Sequence, residues 1–120
     1  MDLWLSASPS NYWAQMEFVD PMGRKRSRII SGERMATGNS NALQGLIEAV
    51  KVLQTACIID VHTESDYIIS AFRNGWIQTW KQNGWKSAKG EQIKNCDQWQ
   101  QLQEVLAKHS VKFVKIEREE

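Results

Sequence analysis

Three groups of side chains in this 120-residue chain have the types and spacing to do chemistry. Asp60, His62 and Glu64 alternate along CIIDVHTE, which puts them on one face of an extended strand. Alternate residues of a strand are far apart, so the three span about 13 Å and cannot converge on one metal ion. Cys57 and Cys96 lack CxxC spacing and have only His62 and His109 to help, so no metal site is expected and the thiols should be free. From Trp76 to Lys94, tryptophan and lysine interleave as Trp76, Trp80, Lys81, Trp85, Lys86, Lys89 and Lys94. Ammonium groups neutralise phosphates and indole faces pack on sugars or bases, which is the chemistry of a nucleic-acid grip. The same tryptophans can instead pack the segment against a core.

The charge balance narrows the partner. Fifteen Lys+Arg against 14 Asp+Glu leave a formal charge of +1, so an anionic partner must be met by a local patch. Two patches exist: five cations against Glu33 between Arg24 and Arg34, and Arg73, Lys81, Lys86, Lys89 and Lys94 against Glu91. No apolar run approaches the roughly 18 residues of a membrane span, and the start MDLWLSASPS lacks the basic n-region of a secretory signal. A cytoplasmic protein with no membrane partner is expected. Length and a 42% hydrophobic content predict a single domain over 1–120.

The elements that position these groups follow from periodicity. Asp2–Ser8, Tyr12–Val19 and Arg26–Ser31 read as strands separated by the turn residues Pro9, Ser10 and Asn11, then Asp20, Pro21, Met22 and Gly23. Leu43, Leu46, Ile47, Val50 and Leu53 share one helical face, with Asn39 or Ser40 as the cap. Cys57–Thr63 is a fourth strand, Ser65 caps a helix running toward Gly75, and Trp76–Gly84 holds one or two helical turns. Asp97 caps a helix with Trp99, Leu102, Val105 and Leu106 inward, and Val111–Ile116 is a fifth strand. The order βββαβααβ implies an α/β (α+β) fold with a five-stranded mixed sheet.

Read together, TESDY at 63–67, GWIQTWKQNGWK at 75–86 and IKNCDQW at 93–99 resemble type 1 ribonuclease H, in order and in spacing. The resemblance covers nearly the whole chain and implies a ribonuclease H-like fold with its final helix absent. It further implies a basic protrusion that grips the DNA strand of an RNA/DNA hybrid through Trp76, Trp80, Lys81, Trp85 and Lys86, with Lys89 and Lys94 nearby. Thr37 and Asn39 fall on the family's phosphate-contacting turn, at a helix N-terminus that attracts anions.

Family members cleave the RNA strand with two Mg²⁺ ions held by four acidic side chains. Carried over residue by residue, the first falls on Ser6, the second on Ala42, the third on Glu64, and the fourth would lie beyond Glu120. Two-metal hydrolysis needs several carboxylates, so the expectation is no enzyme and no cofactor: a pseudoenzyme that binds a hybrid or structured duplex through the protrusion. The alternative is a protein-interaction factor using the fold as scaffold, such as a phage or mobile-element inhibitor of a nuclease or defence complex. Its interface, or that of a homodimer, would use Trp4, Asp60 and His62 on the sheet face that the absent helix leaves open.

Overall fold

The computed structural model describes residues 1–87 and 89–116. Three antiparallel strands come first: β1 (Asp2–Ser8), β2 (Asn11–Val19) and β3 (Lys25–Glu33). They are followed by α1 (Gly38–Lys51), β4 (Ile58–Thr63), α2 (Asp66–Arg73), α3 (Trp76–Gln82), α4 (Cys96–Leu106) and β5 (Ser110–Lys115). The sheet has the order β3-β2-β1-β4-β5, with β4 parallel to both β1 and β5. This is the five-stranded mixed sheet expected, and the helical turns expected over Trp76–Gly84 form a helix of their own, α3. The turns at Trp76–Gln82 stand apart from α2 because Gly75 takes a left-handed φ of 69°, which a side chain would strain.

Alternation decides which face is covered. Leu3 and Leu5 of β1, Ala14 and Met16 of β2, and Ile59 and Val61 of β4 are buried against Leu43, Leu46, Ile47 and Val50 of α1. Burying such side chains contributes about 1.5–3 kcal/mol each. Trp99 is fully buried and ties three elements together: its ring meets Tyr67 of α2 edge-on at 5.5 Å and Trp80 of α3 at 5.5 Å. Its indole nitrogen donates to the Tyr67 hydroxyl at 2.9 Å.

The caps fall differently from the sequence expectation at two of three helices. Ser65 does cap α2, accepting from the Ile68 amide at 3.2 Å. Helix α1 is capped by Thr37, which accepts from the Ser40 amide at 3.1 Å, so Asn39 and Ser40 lie inside the helix. Helix α4 begins after Asn95, held left-handed at φ 61°, and Asp97 sits in its first turn.

Candidate nucleic-acid interface

Where β1 and β4 run side by side and end, α1 begins, and the three ends enclose a cavity of about 340 Å³. Ser6 and Ala7 of β1, Asn39 and Ala42 of α1, and Thr63, Glu64 and Ser65 line it, so the three positions matched to family carboxylates do meet in space. Open sheets take ligands beyond the carboxyl ends of their strands, where connections diverge. Among the described lining residues Glu64 is the carboxylate. It stands one residue past the end of β4, and thus leaves the alternation with Asp60 and His62 that the sequence suggested.

The corner carrying Glu64 is fixed from two sides. Lys115 of β5 donates to the Glu64 carbonyl and pairs with Asp66 at 2.9 Å, while the Thr63 hydroxyl accepts from the Ser65 amide at 3.1 Å.

Beside the cavity lies a polar network that the sequence reading missed. Asn41 is fully buried, and its amide donates to the carbonyls of Ser8 at 2.7 Å and Arg34 at 2.8 Å. The Arg34 guanidinium donates to Asn41 Oδ1 at 3.0 Å and to the Ser40 hydroxyl at 2.8 Å. Ser40 in turn donates to Gln98 Oε1 at 2.7 Å, and Gln98 donates back to the Ser40 carbonyl at 2.9 Å and to Gln44 at 3.0 Å. One network therefore locks the β1–β2 turn, the approach to α1, and α4. The available signal was a polar residue at Asn41 beside the apolar Ala42–Leu43, since a buried amide must find partners.

The second part of the site is the segment from α3 to α4. Gly84 at φ 67° and Trp85 at φ 65° turn the chain back, the Trp85 amide donates to the Trp80 carbonyl at 2.6 Å, and a Lys86–Gln92 bridge closes the loop. This scaffold leaves Lys81, Lys86, Lys89 and Lys94 exposed. The tryptophans divide: Trp80 and Trp85 are half-buried and pack on the core, whereas Trp76 is 41% exposed, with its ring 6.2 Å from that of Trp80. Thr37 spends its hydroxyl on the helix cap, and Asn39 is exposed at the cavity.

The chemistry of a two-metal centre calls for several carboxylates on more than one element. Among the described residues no group of three or more His, Cys, Asp or Glu is placed to hold an ion, so these residues do not by themselves fit such a pair. No described helix is long and apolar enough to cross a membrane.

A five-stranded mixed sheet with its described helices on one face and a cleft at the β1, β4 and α1 ends defines a ribonuclease H-like protein. The family model for ribonuclease H matches residues 9–118, and the chain belongs to that family. It is 37% identical over 94 residues to ribonuclease H of Clostridium botulinum, covering 78% of this chain and 63% of the relative. To the enzyme of Caldicellulosiruptor saccharolyticus it is 40% identical over 90 residues, covering 74% and 62%. Among solved structures, LC9-RNase H1, a type 1 RNase H with the type 2 active-site motif, superposes with a TM-score of 0.78 at 22% identity, over 96% of this chain and 62% of that one. A foamy viral protease-reverse transcriptase solved with an RNA/DNA hybrid superposes with a TM-score of 0.70 at 15% identity, over 95% of this chain and 17% of that one. The chain thus spans about three fifths of the length of these bacterial relatives.

These relatives correct one expectation. The conclusion that the chain is no enzyme followed from Ser6 and Ala42, yet relatives at 37–40% identity carry the name of an enzyme. Reading inactivity from two positions treats the residues at the cavity as the whole of a site, although the match spans only 62–63% of the relatives.

Proposed function

We propose that this member of the ribonuclease H family binds RNA/DNA hybrid, laying the duplex along the cavity at the β1, β4 and α1 ends and against the protrusion. The observation that carries this reading is the protrusion itself: four exposed lysines, on α3 and on the loop that follows it, around a turn held by its own backbone hydrogen bonds, with Trp76 turned outward. Each phosphate neutralised by a lysine releases a counterion, so affinity rises as salt falls. The cavity offers the anion-attracting start of α1 close to Asn39. The hybrid complex of the foamy viral neighbour supports the same ligand class.

The test is fluorescence anisotropy with a labelled RNA/DNA hybrid across a salt series. Changing Lys81, Lys86 and Lys89 to Glu should abolish measurable binding at physiological salt, and any residual salt slope should be shallower by about 2–3. An affinity unchanged by the triple substitution would sink the reading and move attention to the Arg24–Arg34 hairpin. The comparisons lend no support to a phage or mobile-element inhibitor.

A further inference from the structure

Strand β3 ends the sheet, and hydrogen bonds at its two ends fix the phase of its ladder. The Asp20 amide donates to the Arg24 carbonyl at 2.9 Å, the Arg34 amide donates to the Ser10 carbonyl at 3.0 Å, and the register between them runs without a bulge. In an antiparallel ladder every second residue gives both of its backbone groups to the same neighbour. Arg26, Arg28, Ile30 and Gly32 are therefore spent on β2, while Lys25, Ser27, Ile29, Ser31 and Glu33 direct N–H and C=O away from it. Among the described residues no strand lies on that side. Proteins blunt such edges with a proline, a bulge, a short strand or charge. The nine residues of β3 include no proline and no bulge, and what they carry is charge. Over residues 20–34 five cations stand against Asp20 and Glu33. Arg26 and Arg28 are exposed opposite Phe18 and Met16, on the face that carries α1. Asp20 Oδ2 accepts from Nε of Arg24 at 3.1 Å and of Arg26 at 3.0 Å, and its Oδ1 accepts from the amides of Met22 and Arg24, so this end of the edge is already ordered. Lys25 and Arg28 make no side-chain hydrogen bond or ion pair among the described residues.

We propose that the outward edge of β3 takes up an extended acidic segment of a partner protein as an added strand, with carboxylates at alternate positions beside Arg26 and Arg28. Main-chain hydrogen bonds to the outward residues supply affinity, and the carboxylates supply specificity. Arg26 and Arg28 stand roughly 6.7 Å apart along the strand, the spacing of i and i+2 in a partner strand. A nucleic-acid phosphate could neutralise the same cations, but it has acceptors only and would leave the outward carbonyls of Ser27, Ile29 and Ser31 unmet. Charge decides against a second copy. Paired antiparallel with its own copy about Ile29, β3 would set the two Arg28 side chains diagonally adjacent on one face, and like charge across an interface is repulsive. This inference is independent of hybrid binding. Arg26 and Arg28 lie at the Asp2 end of the neighbouring strands, whereas the cavity opens at the Ser6 end.

The test uses the 120-residue chain and a fluorescein-labelled nine-residue peptide of alternating glutamate and valine, followed by anisotropy at physiological salt. The expected result is saturable binding that weakens about tenfold or more in Arg28→Glu, and by a similar factor when lysines replace the peptide's glutamates. Arg28 is exposed, so that variant should fold, which circular dichroism verifies; Lys112→Glu, exposed on β5 at the far end of the sheet, serves as the charge control and should bind normally. Two further peptides separate strand pairing from charge alone: one is methylated on its valine nitrogens, the other on its glutamate nitrogens. Only one of these two sets can face β3, so one methylated peptide should lose binding and the other keep it. Equal binding of the methylated pair, equal binding of the glutamate and lysine peptides, equal loss in Lys112→Glu, or no saturation would overturn the proposal. Displacement of the peptide by an RNA/DNA hybrid would do the same, since the patch would then be a nucleic-acid contact. So would self-association of the chain, seen by sedimentation and lost when Ile29→Pro removes an outward amide, since the occupant would then be a second copy.

Discussion

The two faces of one sheet share their strands and differ in nearly everything else. In β1, Leu3 and Leu5 are buried while their neighbours Asp2 and Trp4 are half exposed and Ser6 is exposed; in β4, Ile59 and Val61 are buried beside half-exposed Asp60 and His62. The covered face is held by close packing around Trp99 and by a satisfied polar network at Asn41. The open face is held by pairwise contacts, of which the Trp4–His62 stack is the clearest. The difference teaches that, among the described residues, close packing sits on one side of this sheet.

The sharpest way to break this comparison is with two tryptophans. Trp99→Ala should cost about 3–5 kcal/mol, because a void opens among Tyr67, Phe72 and Trp80 and the Tyr67 hydroxyl loses a donor. Trp4→Ala should cost only about 1 kcal/mol, the scale of one aromatic stack. Urea denaturation of both variants gives the ratio; equal losses would mean the open face is as structural as the covered one.

Asn41→Ala probes the polar part of the covered side. It strands the Ser8 and Arg34 carbonyls and leaves the Arg34 guanidinium with Ser40 alone, so about 2–3 kcal/mol should be lost in the same measurement. A loss below 0.5 kcal/mol, roughly the scatter for a surface change, would show that water replaces the amide at no cost. Thr37→Ala removes the α1 cap and should cost about 1 kcal/mol. Thr37→Ser should restore most of it, which a role in packing alone would not predict.

The smallest effect concerns pH. His109 Nδ1 accepts from the Cys57 amide at 3.0 Å and its Nε2 is buried without a partner among the described residues, an arrangement that disfavours the charged ring. Burial, and secondarily the charge of Lys108, lower its pKa from 6.5. The folded state thus binds a proton less readily than the unfolded one, and this contribution to stability is complete above pH 6.5 and declines as pH falls below it. Urea midpoints at pH 7.5 and 5.5 should differ more for the native chain than for His109→Gln. Identical differences would remove His109 from the pH response.

Much of this molecule was legible from residue types and spacing. Alternation in Leu3–Ser6 and Ile59–His62 separated the two faces because strand side chains alternate by geometry, and the period of Leu43–Val50 placed α1 for the same kind of reason. The pairing of Asp60 and His62 with β1 was not legible: which strands neighbour each other depends on where the crossover through α1 returns the chain to the sheet, a non-local choice. The same holds for the division of the tryptophans. Trp76 and Trp80 stand four residues apart in one helix with similar neighbours in sequence, and only the packing of α3 beside Trp99 turns one inward and the other out.

By itself, then, the sequence determined the elements, the family and the basic protrusion, since each rests on local periodicity or on motifs of fixed spacing. Only the tertiary structure decided that Thr37 is spent on a cap, that Asn41 joins Ser8 to Arg34, that Glu64 leaves the strand for the cavity, and that Trp4 lies flat on His62. Those facts depend on groups brought together from distant parts of the chain, and hydrogen-bond partners and ring contacts exist only once the chain has closed on itself.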